Sequence, residues 1–290
     1  PWMSRWFTEC GFEVIVANPR EVQSITKSHR KNDAADAEQL ARLGRADPKL
    51  LKPIVHRGEA VQRDRARLAI RRQLVATRAS LAIQARGLVK ALGERLPKAK
   101  PEALPRKARV AGQGDLLPGL AVLFDVIEHL NTRIQELDQE VARCAEEQHP
   151  ETAILRQVPG VGPITSLSFV LAVEDPRRFE VSRRVGSYLG LRPRQHDSGE
   201  SRPELSISKA GDPELRSLLV ECAQWILARG PDSDLRRFGE RLAQRGGRAA
   251  KKKAVIAVAR KLAVLLHRLW LTGEAYDPFY ASRPREASAA

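Results

Sequence analysis

The sequence predicts a mainly α-helical fold that begins with a remnant of an α/β unit. Of its residues, 42% are hydrophobic but only 5% are aromatic, so the core should consist of aliphatic side chains on helices. Residues 1–22 differ: a short apolar helix ends at Gly11, a β-like run follows at Phe12–Val16, and Asn18 with Pro19 predicts a turn. This order is typical of an α/β unit whose other strands would precede Pro1, so the sequence is expected to be truncated at its N-terminus.

Two long helices of opposite charge are predicted next. The first covers residues 57–95 and places Leu74, Leu81 and Leu88 seven residues apart; residues 57–109 contain 15 Lys and Arg against 4 Asp and Glu. The second covers residues 119–147, with 7 acidic residues against 2 Arg. Its apolar residues alternate steps of four and three, which is the spacing of a coiled-coil seam: Leu123, Ile127, Leu130, Ile134, Leu137 and Val141. The two helices could form an antiparallel hairpin, or they could pair across a homo-oligomer.

Changes in composition predict four segments. The N-terminal remnant covers residues 1–55, and the coiled-coil helices cover residues 56–148, with a linker rich in Pro, Lys and Gly at residues 97–118. Residues 149–229 have short helices and loops rich in Gly, Pro and Ser. Residues 230–290 add a basic helical end and a tail that is expected to be disordered.

The charge of the chain predicts nucleic acid as its partner. Lys and Arg number 50 against 35 Asp and Glu, a net charge of +15, and such an excess concentrates polyanions at the protein surface. No apolar run is long enough to cross a bilayer, so no membrane partner is expected. Cys10, Cys144 and Cys222 show neither CxxC nor Cys/His ligand spacing. Neither a disulfide scaffold nor a zinc site is therefore expected. The absence of a disulfide pattern favours a cytoplasmic location.

A glycine-rich turn is the first candidate contact with nucleic acid. Residues 155–165 have the shape of a helix-hairpin-helix turn, with Gly160 and Gly162 ahead of an apolar helix. The two glycines would allow a close approach of the backbone, and the N–H groups that begin the helix would bind a phosphate without reading base sequence. The same residues also fit a plain helical turn that has no ligand.

Ser198 is the candidate nucleophile. A serine that attacks a phosphodiester needs cationic donors to stabilise charge on the phosphoryl oxygens, and a route for its proton. The cations and the histidine that accompany it in sequence are Arg192, Arg194, His196, Lys209 and Arg216. The same run also fits a polar surface loop whose arginines are only solvated.

Asp33 and Asp36 form a candidate metal site. They stand three residues apart at a predicted helix start, so they share one face and could hold one edge of a Mg²⁺ site. The alternative is that Asp33 caps the helix and Asp36 interacts favourably with its dipole. Two carboxylates are also fewer than the roughly three or four that a metal-assisted nuclease draws on.

Taken in order, these stretches resemble the DEDD-type transposases of bridge-RNA insertion sequences. The motifs that carry the resemblance are Pro159–Gly162, Arg178–Phe179, Tyr188–Leu191, Asp197–Gly199, Ser208–Gly211 and Leu215–Arg216. That family combines a RuvC-like N-terminal domain, a coiled coil and a C-terminal domain with a catalytic serine. The resemblance implies that Ser198 forms a phosphoserine link with cut DNA. It also implies that Asp33 and Asp36 are the last two residues of the tetrad that holds Mg²⁺.

The same resemblance implies DNA and a guide RNA as partners, and a homo-oligomer held by the coiled coil. The first Asp and the Glu of the tetrad would lie upstream of Pro1, so this polypeptide alone is predicted not to transpose DNA. Two other functions stay open on the residues themselves. One is a non-catalytic protein that binds DNA by its structure, and the other is a basic coiled-coil scaffold.

Overall fold

The structure, a computed structural model, describes residues 1–18, 22, 32–195, 198 and 205–282. It confirms the mainly α-helical fold, because helices account for most of the described residues. The chain divides into two compact units, Pro1–Arg63 and Asp64–Ala290, and each is described by itself. Along the described ranges, no helix combines the length and the apolar character needed to cross a bilayer.

Among its described residues, the N-terminal unit has two helices and a short 3-10 turn ahead of the long helix that begins at Glu59. Helix α1 spans Trp2–Glu9, helix α2 spans Asp33–Ala46, and the 3-10 turn spans Pro48–Leu51. Helix α1 has an aromatic face, as its sequence suggests, but this face stays open: the exposed fraction is 66% for Trp2 and 52% for Trp6.

The predicted β run at Phe12–Val16 is not a strand in the structure. Single backbone hydrogen bonds connect this region to residues beyond helix α2: the Ile54 N–H donates to the Val16 carbonyl at 2.9 Å, and the Asn18 N–H donates to the Leu51 carbonyl at 3.1 Å. A strand needs a continuous ladder of such bonds along its length. Two isolated bonds do not make one, so the β prediction is wrong although the apolar pattern is present.

Two long helices pair antiparallel in the second unit. The helices of this region are α3 at Glu59–Ala91, α4 at Leu104–Val110 and α5 at Leu120–Glu147. The Arg71 guanidinium bonds the Asp138 carboxylate, and the Arg78 guanidinium donates to the Asn131 side chain at 2.9 Å. Residue numbers rise along α3 as they fall along α5, so the two helices form a hairpin within one chain. This is one of the two arrangements that their opposite charges predicted.

The core of the hairpin differs from the predicted leucine heptad. Its buried residues are Ala82, Ala85, Val89, Leu104, Ala108, Leu120, Phe124 and Ile127. Leu88, a member of the heptad, is 43% exposed. The alanines of α3 allow close packing, and Leu104 of α4 contributes to the space beside them. Because α4 lies between residues 97 and 118, the predicted linker contains a packed helix.

The apolar stripe of α5 is buried in the way its spacing predicts. Ile127, Ile134 and Val141 are at most 3% exposed. Helix α5 also ends at Glu147, the boundary expected from the sequence. A strict alternation of steps of four and three therefore located this element well.

The C-terminal part of the second unit is a cluster of short helices around one long helix. Its helices are α6 at Thr152–Leu155, α7 at Pro163–Val173, α8 at Arg183–Tyr188, α9 at Pro213–Arg229, α10 at Asp234–Ala243 and α11 at Gly247–Thr272. One apolar core runs from Leu155 to Leu269. Residues on both sides of the boundary expected at 229 contribute to it, so α10 and α11 share a core with the segment that carries Ser198.

Candidate functional site

The segments on either side of Ser198 pair with each other. Residues 191–195 and 205–209 run antiparallel, with a β-bridge between Pro193 and Ile207. We call these two segments the ribbon. Ser198 lies in the connection between them and is exposed to solvent. A nucleic acid can therefore reach Ser198. The neighbouring residues His196, Asp197 and Gly199 lie outside the described residues.

Three exposed cations belong to the ribbon: Arg192, Arg194 and Lys209. The Arg192 guanidinium donates to Gln195 at 2.5 Å, and the Arg194 guanidinium donates to the Ser206 hydroxyl at 3.4 Å. Among the residues that the structure describes, none of the three cations forms an ion pair with a carboxylate. Their contact with nucleic acid, which the sequence predicts, stays a prediction.

Two glycines allow the ends of the ribbon to cross. Gly190 has a φ of +68°, and a Cβ there would lie 2.3 Å from the carbonyl oxygen of Ala210. Gly211 has a φ of +70°, and a Cβ there would lie 2.1 Å from the carbonyl oxygen of Tyr188. Both contacts are too short for any side chain, and both dihedral angles are in the region that glycine adopts freely. These two glycines set the geometry of the loop that carries Ser198, a role that sequence reasoning did not assign to them.

Arg216 lies at the same end of the ribbon. Its guanidinium Nη1 donates to the carbonyl oxygens of Leu189, at 3.1 Å, and of Ala210, at 2.7 Å. These bonds connect helix α9 to both crossing segments. The side chain thus positions the ribbon, and its predicted role as a phosphate contact stays untested.

The start of helix α9 joins the ribbon to the hairpin. Asp212 caps the helix by accepting from the N–H groups of Glu214 and Leu215, and it pairs with Arg65 of α3 at 2.6 Å. Burial raises the pKa of Asp212, but the hydrogen bonds from Arg65, Leu215 and Glu214 together hold that pKa below its usual value. Arg72 of α3 pairs in the same way with Glu214 at 2.9 Å. The hairpin therefore supports the segment that leads out of the ribbon.

The glycine-rich turn lies between α6 and α7. Gly160 has a φ of +90°, and a Cβ there would lie 2.7 Å from the indole of Trp225, so packing against α9 already requires a glycine. Gly162 is the N-terminal cap residue of α7. Helix α6 before the turn has only four residues, so the turn has one full helix rather than two. Whether the two glycines bind a phosphate stays a prediction.

Asp33 and Asp36 occupy the first turn of α2. The cap is Asn32, whose side chain accepts from the Ala35 N–H at 2.7 Å, so the alternative in which Asp33 caps the helix is wrong. Asp33 is exposed and Asp36 is half-buried. Within the described ranges, no third Asp, Glu, His or Cys joins them in a group that could hold a metal ion. The pair alone would leave most positions around Mg²⁺ to other ligands.

Another cluster was missed entirely at the level of sequence. Asp64 of α3, Cys144 of α5 and His149, which precedes α6, place their ligand atoms within 4.8 Å of one another. Burial, together with the nearby Asp64 carboxylate, raises the pKa of Cys144 to about 11. Only the register of the hairpin brings these three residues together, so no local spacing could have indicated them.

Two family models match the chain. The model described as "Transposase IS116/IS110/IS902 family" matches residues 152–240, which include the ribbon and the glycine-rich turn. The model of the DEDD-type IS110 transposase domain matches residues 1–93, which include Asp33 and Asp36. The two matches therefore cover both regions that contain the candidate catalytic residues.

Several transposases and a gene-inverting protein are similar to more than half of the chain. The transposase for insertion sequence element IS1111A of Coxiella burnetii is 29% identical over 94% of this chain and 75% of its own length. The transposase for element IS1328 of Yersinia enterocolitica is 28% identical over 79% of this chain and 68% of its own length. The pilin gene-inverting protein of Moraxella bovis is 31% identical over 53% of this chain and 48% of its own length. Together with the two family models, these relatives show that the chain belongs to the IS110/IS116 family of transposases.

Proposed function

We propose that this protein is an insertion-sequence transposase that cuts DNA with Ser198 as the nucleophile. The observation that carries the proposal is the exposure of Ser198 in the connection of a ribbon that also exposes Arg192, Arg194 and Lys209. Among the residues that the structure describes, these three cations form no ion pair with a carboxylate, so they are available to stabilise charge on a phosphate that Ser198 attacks.

The proposed step is an attack of the Ser198 hydroxyl oxygen on a DNA phosphorus. A phosphorus–oxygen bond forms to the serine and the bond to the leaving DNA oxygen breaks. The serine proton passes to solvent or to a base, and the leaving DNA oxygen takes up a proton from solvent or from an acid. Negative charge builds up on the phosphoryl oxygens in the transition state, and the ribbon cations stabilise that charge. The energy of the broken ester bond is kept in the phosphoserine link, so a second DNA end can displace the serine.

Asp33 and Asp36 are proposed to bind the Mg²⁺ that assists this chemistry. Their carboxylates are the oxygen ligands that Mg²⁺ prefers, and Asn32 leaves both of them free of the capping role. Because the described residues offer no third ligand beside them, we propose that this polypeptide alone does not complete transposition. Further carboxylates, as in the tetrad of the family, would have to complete the site.

DNA is the proposed substrate, and a guide RNA is a proposed second partner. The pilin gene-inverting relative is named for the rearrangement of a gene, which is the reaction class proposed here. Homo-oligomer formation through the hairpin is also proposed, because apolar residues of α3 remain exposed on its outer side, among them Ile70 at 55% and Ile83 at 68%.

A non-catalytic DNA-binding protein is the second candidate. The turn at Gly160 and the exposed cations would serve binding without any use of the serine hydroxyl. The two functions differ in a single atom, the Ser198 Oγ, and can be separated by removing it.

The test uses a DNA substrate with a bridging phosphorothiolate at the cleavage site. Its thiolate leaving group departs without protonation, so a covalent adduct can form even where full turnover does not. We expect the unchanged protein and Ser206→Ala, an exposed serine on the ribbon, to form an adduct, and Ser198→Ala to form none. DNA affinity should stay within about twofold in all three proteins, because phosphate contacts dominate it.

An adduct that persists in Ser198→Ala would contradict the proposed nucleophile. If DNA binding is normal and no protein forms an adduct, the non-catalytic function is favoured. Peptide mapping of the adduct identifies the linked residue directly and does not depend on a variant.

A further inference from the structure

Three different metal-binding side chains converge where the hairpin meets the C-terminal helices. Asp64 and Cys144 are buried, at 6% and 4% exposure, and the side chain of His149 is 15% exposed. Their ligand atoms lie within 4.8 Å of one another. They come from helix α3, from the last turn of α5 and from the residues just before α6, so the cluster joins three parts of the second unit.

Each ring nitrogen of His149 has a carboxylate beside it. The His149 Nε2 lies 3.0 Å from Asp64 Oδ2, and the His149 Nδ1 lies 3.6 Å from the Glu151 carboxylate. A histidine that binds a metal through one nitrogen almost always directs the other nitrogen to a carboxylate or a carbonyl. Glu151 is placed to orient the His149 ring in this way.

We propose that Asp64, Cys144 and His149 bind one zinc-class divalent transition-metal ion. Zinc bonds oxygen, nitrogen and sulfur at about 2.0–2.3 Å, so the ligand atoms of a tetrahedral site with one sulfur are about 3.3–3.6 Å apart. A contraction of about 1–1.5 Å in the longest of these separations would complete the set. The fourth position would be left to water or to a neighbouring oxygen, as in zinc sites with three protein ligands.

The donor atoms select the kind of metal. A thiolate and an imidazole are soft or borderline ligands that favour zinc and its neighbours, whereas Mg²⁺ requires oxygen. When the ion binds, the Cys144 thiol releases its proton to solvent, and the thiolate and the Asp64 carboxylate together balance the two positive charges. The site is thus different in chemistry from the Mg²⁺ expected at Asp33 and Asp36, and it does not depend on the proposed role of Ser198.

Arg67 also bonds the Asp64 carboxylate, but it contacts only one of the two carboxylate oxygens. Its guanidinium bonds Asp64 Oδ1 at 2.9 Å, which leaves Oδ2, on the His149 side, for the ion. The Glu140 carboxylate lies 3.8 Å from Arg67, so part of the arginine charge is compensated nearby. The ion would therefore link the base of the hairpin to the start of α6 and hold the two at a fixed distance.

The test uses untagged protein that has been stripped of metal, reloaded with Zn²⁺ or Co²⁺ and dialysed. We expect about one Zn²⁺ per chain by elemental mass spectrometry, and with Co²⁺ a thiolate-to-cobalt charge-transfer band in the near ultraviolet. Cys144→Ser should abolish the band, and His149→Gln should weaken metal retention by at least about tenfold. Cys222→Ser, a change at a second buried cysteine, should alter neither.

A further variant keeps Cys144 as its only thiol and tests the origin of the band without changing any proposed ligand. Cys10→Ser with Cys222→Ser leaves the three proposed ligands unchanged and should retain the full charge-transfer band. The absence of retained metal in the unchanged protein would overturn the proposal, and so would loss of the band in this double variant. In either case the cluster is a buried hydrogen-bonded group that only packs the hairpin.

Discussion

The ribbon and the helical hairpin are both rich in cations, but their cations are in different states. In the hairpin, Arg71 of α3 bonds Asp138, and Arg109 of the adjoining helix α4 bonds the carboxylates of Asp125 and Glu128. On the ribbon, Arg192 and Arg194 bond only neutral side chains within the part of the chain that the structure describes. Arg71 and Arg109 are therefore neutralised by carboxylates, whereas Arg192 and Arg194 are open to a ligand.

This difference shows that the number of Lys and Arg in a segment does not by itself locate a nucleic-acid surface. Binding to a polyanion gains free energy from the release of counterions, and a guanidinium that already faces a carboxylate contributes little to that release. The 15 cations and 4 acidic residues of residues 57–109 give a net charge of +11, and the 7 acidic residues and 2 Arg of the helix that packs against them reduce it to +6. The ribbon has fewer cations but is the stronger candidate.

The ribbon must have a fixed shape if its cations are to face a phosphate together. Gly190→Ala should destroy that shape. A Cβ would lie 2.3 Å from the Ala210 carbonyl oxygen, and the residue has a positive φ. We expect a loss of about 3 kcal/mol in the free energy of unfolding, the sum of backbone strain and overpacking. Urea unfolding followed by circular dichroism measures it.

Gly112→Ala is the matched control for this change. Gly112 has a φ of +69° but nothing within 4 Å of a Cβ, so only the backbone strain applies and the loss should be about 1 kcal/mol. Equal losses in the two variants would mean that the crossing at Gly190 is not tightly packed. The ribbon would then lack the rigidity on which its role is based.

Two triple variants test the comparison of charges directly. Changing Arg192, Arg194 and Lys209 to Gln should weaken DNA binding about 30-fold, or about 2 kcal/mol, and reduce the slope of log K against log salt by about 2.7. Changing Arg71, Arg72 and Arg109 to Gln should leave that slope within about 0.5 of the unchanged protein, because those arginines already face carboxylates. Filter binding at several salt concentrations provides both slopes. A larger reduction of the slope in the hairpin variant than in the ribbon variant would place the DNA surface on the hairpin.

The fold could be predicted where apolar residues recur regularly on one face of a helix. It could not be predicted where packing depends on residues that are distant in the sequence. The stripe of α5 located that helix to within a residue, because Ile127, Ile134 and Val141 are all buried. The leucine heptad of α3 was confirmed only in part, because Leu81 packs against the core whereas Leu88 is left at the surface and small alanines form the closest packing. Nothing in the composition of residues 97–118 indicated that Leu104 would be buried.

The candidate site was predictable only in part, for the same reason. A resemblance of motifs pointed to Ser198 and its cations, but the crossing of Gly190 and Gly211 is a relation between two segments that no local pattern encodes. Asp64 and His149 are 85 residues apart and meet through the register of the hairpin. The spacing of Cys10, Cys144 and Cys222 instead predicted that the chain has no zinc site.

The smallest expected effect concerns the ion pair that joins the ribbon to the hairpin. Asp212→Asn removes the charge opposite Arg65 but keeps an oxygen that can cap α9. The variant therefore isolates the ion pair, which should contribute about 1 kcal/mol to the free energy of unfolding at pH 7.

The contribution of this ion pair should depend on pH. The pKa of Asp212 is lowered in the folded protein, so the contribution is complete above the unfolded pKa of about 3.9 and is lost as the pH falls through the folded pKa. The difference in unfolding free energy between Asp212→Asn and the unchanged protein should therefore shrink in acid, whereas Asp125→Asn, at an exposed pair, should have little effect at any pH. Urea unfolding at pH 7 and in acid measures both differences. If the cost of Asp212→Asn is the same at both pH values, its charge does not hold the ribbon to the hairpin.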